Sequence, residues 1–111
     1  MIKVEDNKLF FSNNHQISFT YPIGDFISFT NTIVVRLELP RGNILNENIY
    51  GVAHNGNIIW QIPKIPHVYP DSPYMSLKKI DEQHASSHNW DGDDIIFDIN
   101  TGEITHKSYS K

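Results

Sequence analysis

Three glycine turns set between alternating apolar segments constrain this chain more than any other feature. Asn55-Gly56 interrupts "NIYGVAHNGNIIWQIP" (residues 48–63) and Asp91-Gly92 interrupts "HASSHNWDGDDIIFDI" (84–99). Asn100 and Gly102 shape "DINTGEI" (98–104). Asn-Gly and Asp-Gly are favoured where two successive residues take positive φ, the geometry of a two-residue hairpin turn. Period-two segments joined by such turns predict an antiparallel meander.

Turn type sets register, and register sets which side chains share a face. A two-residue turn at Asn55-Gly56 pairs His54 with Asn57. Ala53 then faces Ile58, Gly51 faces Trp60 and Ile49 faces Ile62, and these six form the candidate core face. Trp60 over Gly51 would bury about 200 Å2. The same count at Asp91-Gly92 sets His84, Ser86 and His88 opposite Ile99, Phe97 and Ile95, at the edge of the core.

Upstream, "QISFTYPI" places Ile17, Phe19, Tyr21 and Ile23 on one face, with Pro22 marking an edge or an end. "TIVVRLEL" places Ile33, Val35, Leu37 and Leu39 on one face and Val34, Arg36 and Glu38 on the other. Pro40 and Gly42 end that strand. "PKIPHVYPDSP" (63–73) is a loop. Residues 73–84 read as a strand ending at Asp81-Glu82, with a helix opening at Ser72-Pro73 as the alternative. The expected fold is all-β and mainly antiparallel. One β-rich domain spans 1–111, a meander of hairpins forming a twisted sheet, a small sandwich or a partly open barrel. A chain of 111 residues has the length of one domain and buries roughly two-thirds of its extended surface.

Composition narrows the chemistry. Cysteine is absent, which removes disulfides and thiolate metal sites. The N-terminus lacks a signal-peptide pattern, and no apolar run approaches the roughly 20 residues of a transmembrane helix, so a cytoplasmic protein is expected. The net charge is −4, all of it in residues 65–111, where four lysines stand against eight acids. That balance argues against direct nucleic-acid binding and suits a basic protein partner. His84 and His88 share a helix face only in a helix, which two serines and Asn89 disfavour. In a strand they stand about 13 Å apart, too far for one ion. "DGDD" does not follow calcium-loop order, and no nucleophile elbow or phosphate loop occurs. No cofactor, metal or catalytic residue is expected. The hairpin is read as carrying an acidic tip of Asp91, Asp93 and Asp94 beside Trp90. The candidate partner-binding residues are Tyr69, Asp71, Tyr74, Asp81, Glu82, His84, His88, Trp90, Asp91, Asp93 and Asp94.

Residues 48–62 and 89–104 resemble the hairpins of β-propeller blades, although one chain of this length is too short for a propeller. The same two segments are similar to small β-rich immunity proteins of bacterial polymorphic toxins, including those of contact-dependent growth inhibition. That resemblance implies a small acidic antitoxin without catalytic machinery, which binds a cognate basic, nuclease-type toxin domain and blocks its active site. A small ligand-binding β module is the alternative, followed by a small metal-dependent hydrolase using the histidines.

Overall fold

A computed structural model describes residues 2–109. The architecture is all-β, and no helix occurs among the described residues. The strands are β1 (Lys3–Glu5), β2 (Lys8–Phe10), β3 (Gln16–Ser18), β4 (Ile23–Ser28), β5 (Ile33–Leu37) and β6 (Ile49–Val52). They continue with β7 (Ile58–Gln61), β8 (Lys78–Lys79), β9 (His84–His88), β10 (Asp93–Asp98) and β11 (Ile104–Tyr109). Three antiparallel meanders follow one another: β1-β2-β3, then β4-β5-β6-β7, then β11-β10-β9-β8. None closes into a barrel.

The middle sheet is covered on both faces, which gives a layered, sandwich-like packing. Ile33, Val35, Leu37 and Val52 pack with Leu9, Phe11 and Phe19 of the first meander. Val34, Ile49, Trp60 and Ile62 pack with Ala85, Ile95, Phe97 and Ile99 of the third. Every residue of β5 is therefore buried. The two faces counted from the sequence, Ile33, Val35 and Leu37 on one and Val34 and Arg36 on the other, are both covered. A strand buried on both faces loses its alternation and reads as a continuous apolar run. "QISFTYPI" also divides: the pairing of β3 ends at Ser18, Phe19 donates to the Asn7 carbonyl (2.8 Å), and β4 starts at Ile23.

Both dipeptide hairpins carry three-residue loops in place of two. Ala53 N–H donates to Asn57 O (2.8 Å) and Gly56 N–H to Ala53 O (3.0 Å), so only Gly56 takes a positive φ, of 90°. A β-bulge between Gly51 and Val52 then restores the expected Gly51–Trp60 pair, but it leaves Ile58 and Ile59 half exposed. The second loop repeats the pattern: Asn89 N–H donates to Asp93 O (2.7 Å), and Gly92 has φ 107°. No bulge follows. His88 pairs Asp94, Ser86 pairs Ile96 and His84 pairs Asp98, one residue out of the expected register. A one-residue slip exchanges the two faces. Ala85, Ser87 and Asn89 turn inward, and the histidines stand on the outer face instead of at the core edge. Residues 73–84 are extended: Tyr74 bridges Asn89 and β8 is two residues long.

Candidate functional site

The site is built from a segment that cannot satisfy itself. Residues 63–73 contain four prolines, which lack N–H groups, so carbonyls there need donors from elsewhere. Asn46 supplies one side: its Nδ2 donates to Pro70 O (2.9 Å) and its Oδ1 accepts from Ser72 N (2.8 Å). Buried Asn48 donates to Leu37 O (2.9 Å) and Tyr74 O (3.0 Å), and accepts from Tyr74 N (2.8 Å). The β9–β10 hairpin supplies the other side. Asn89 Nδ2 donates to Ser72 O (2.8 Å) and Trp90 N–H to Pro73 O (2.9 Å).

These ties hold the proline-rich segment beside a groove. It is lined by residues of Leu39–Ile44 and Tyr69–Met75 and by Trp90, with the buried Arg36, Asn48 and Tyr74 at the floor. The groove encloses about 610 Å3. Its rim is apolar and exposed at Ile44, Tyr69, Met75 and Trp90, whose indole belongs to a residue 56% exposed.

The floor is electrostatically closed. Arg36 is buried, and its guanidinium donates to Asp25 (2.6 Å), Glu38 (3.1 Å) and Tyr74 O (3.3 Å). Burial pushes the Tyr74 phenol far above its ordinary value, and Glu47, Asp91 and Asp93 add to the shift. Its Oη has no hydrogen-bond partner among the described residues. Below the hairpin tip, His67 meets Asp91 at 3.0 Å with both side chains buried. Burial alone would raise the Asp91 carboxyl, but the His67 hydrogen bond, the Asp93 amide and the His67 charge hold it below its ordinary value. Asp93 is raised by burial and by the Asp91 charge, with Lys107 3.9 Å away.

A family model described as Domain of unknown function (DUF7957) matches residues 1–109. The chain belongs to the DUF7957 family. No curated protein matches it. In this DUF7957 chain the residues singled out from the sequence fall in separate places. Tyr69, Asp71 and Trp90 stand exposed at the groove. Tyr74 is its buried floor. Asp91 and Asp93 are buried, which corrects the expected acidic tip: the Asp91 carboxylate accepts from the Asp93 amide and meets His67. Asp94 stays on the outer face with His88 (2.6 Å). Asp81 pairs with His84 (2.9 Å) and Glu82 with Lys79 (2.8 Å) at the β8–β9 turn. Sequence reasoning missed Arg36, Arg41, Asn46, Asn48, His67 and Met75. The run of prolines was the available signal for the two asparagines, because it announces carbonyls in need of donors.

Proposed function

We propose that this DUF7957 protein is a binding protein that neutralises a cognate basic toxin domain, as an immunity protein does, by blocking its active site. The docking surface is the groove rimmed by Tyr69 and Trp90. Trp90 is the observation that carries the reading. Its backbone is fixed by Pro73, and its neighbours Asn89 and Asp91 are buried, yet the indole is held out in solvent. Leaving a large apolar side chain exposed forgoes about 1.5–3 kcal/mol of burial. A rigid aromatic on a fixed backbone loses little entropy when a partner covers it, which is how interface anchors work. The net charge of −4 and the exposed carboxylates Asp71, Asp81 and Glu82 favour a basic partner. The reading assigns the chain no catalysis and no cofactor, and puts it in the cytoplasm with the toxin's target.

The test is capture by tagged protein from its native cells at low salt. The expected result is one basic polypeptide in stoichiometric amount, released by high salt and lost with Trp90→Ala. A Trp90→Ala protein that holds the same polypeptide equally well removes the groove from the interface. A bare wild-type bait from cells that make the toxin removes the reading itself. A second reading, a small-ligand module, is favoured by the groove volume, which lies within the ordinary range of small-molecule sites. Thermal-shift screening with sugars and nucleotides checks it.

A further inference from the structure

The charges around the groove divide into two groups. Arg36, Asp25 and Glu38 satisfy one another. Asp71 and Arg41 are exposed and make no ion pair or side-chain hydrogen bond among the described residues. Both line the groove, Arg41 in the Leu39–Ile44 segment and Asp71 in the Tyr69–Met75 segment. One unpaired cation and one unpaired anion therefore line a groove that aromatic and aliphatic side chains also line.

Resting on the binding-protein reading above, we infer that the groove seats an extended polypeptide segment of mixed charge, with a basic side chain at Asp71 and a carboxylate at Arg41. The apolar rim takes the stem of the basic residue, and Trp90 and Tyr69 offer ring faces to its cation. Nucleic acid would need a surplus of cations, whereas these two charges cancel. A second copy would oppose two concave surfaces across a two-fold axis, and these do not fill each other.

The experiment selects peptides from a displayed random library on the full chain, then measures synthetic peptides by fluorescence anisotropy against wild type, Asp71→Lys, Arg41→Glu and the double variant. Both positions are exposed and unpartnered, so each variant should melt with wild type. Selected peptides should carry one basic and one acidic residue at fixed spacing. Each single variant should weaken them about three- to tenfold, as expected for a partly exposed charge contact. Peptides with their two charges exchanged should prefer the double variant over wild type. Peptides that bind all four proteins equally, peptides with no charge pattern, or no selected peptide at all would each overturn the inference. The two readings fail separately. If the native polypeptide is still captured by Asp71→Lys and Arg41→Glu but lost by Trp90→Ala, the charge assignment falls and the binding role stands. If wild type captures nothing, the binding role falls.

Discussion

Gly51→Ala tests the packing at the centre of the molecule. Trp60 lies flat against Gly51, and a methyl group there would overlap Cε2 and Nε1 of the indole. The ring is also confined elsewhere. Gly102 abuts it as well, where a Cβ would stand 2.6 Å from Cε3. Phe97 meets it edge-on at 5.7 Å, and Nε1–H donates to Ile99 O at 2.8 Å. Overpacking costs about 1–3 kcal/mol, and displacing the indole from a buried carbonyl adds about 1–3 kcal/mol. The expected loss is therefore about 2–6 kcal/mol, a large share of the roughly 5–15 kcal/mol that stabilises a domain. With a urea slope of about 1.5 kcal/mol/M, a loss of about 3 kcal/mol lowers the midpoint by about 2 M with the slope unchanged. Trp60→Leu should be destabilising alone through its cavity, yet the double variant should lose less than the sum by about 1 kcal/mol or more. A Gly51→Ala protein within about 0.5 kcal/mol of wild type, or strictly additive losses, would refute the account.

Four further perturbations address the groove and its supports. Asp91 has a lowered folded pKa, so its ionisation stabilises the fold above about pH 4, and that contribution is lost as pH falls through the folded value. Asp91→Asn should be destabilised at pH 7, with the gap to wild type closing in urea melts below about pH 4. Asp93 has a raised folded pKa, so ionising it opposes folding as pH rises from the ordinary carboxylate value through the folded one. Asp93→Asn should accordingly compare better with wild type at pH 7 than at pH 3, the reverse of Asp91→Asn. Arg36→Met should cost about 1–3 kcal/mol in thermal or chemical melts, because Asp25 and Glu38 lose their cation and the Tyr74 carbonyl keeps only its Asn48 donor. Asn48→Ala should cost about 2–4 kcal/mol and raise amide exchange at Tyr74, whose N–H loses its acceptor.

The hairpins were legible because Gly56, Gly92 and Gly102 sit where positive φ is required, and each indeed turns the chain. The loop type was not legible. Asn-Gly and Asp-Gly fit a two-residue turn, with two positive φ values, and equally a three-residue loop in which the glycine alone takes one. At β6–β7 the bulge absorbed the difference and Trp60 reached Gly51 as counted. At β9–β10 nothing absorbed it, so the histidines moved from the expected core edge to the outer face, and Asp91 and Asp93 are buried. Burial of β5 on both faces could not be read either, since it depends on the first meander packing behind the second. Of the groove, Tyr69, Asp71 and Trp90 were visible as exposed aromatic and acidic residues of a loop and a turn. Arg41, Asn46 and Met75 were not, because their place depends on two loops that meet across about 30 residues of sequence.

The succession of the three sheets bears on how the chain assembles. Every named strand pair joins sequence neighbours, so each sheet closes only loops internal to its own stretch of chain. Closing short loops costs little entropy, and local topology favours fast folding. The distant contacts are then made by side chains between sheets, with the middle meander as the surface on which both others dock. The decisive step moves from finding the correct strand partner to fitting finished sheets together, with Trp60 and its two glycines as the point of fit on one side and Phe19 against Tyr50 on the other.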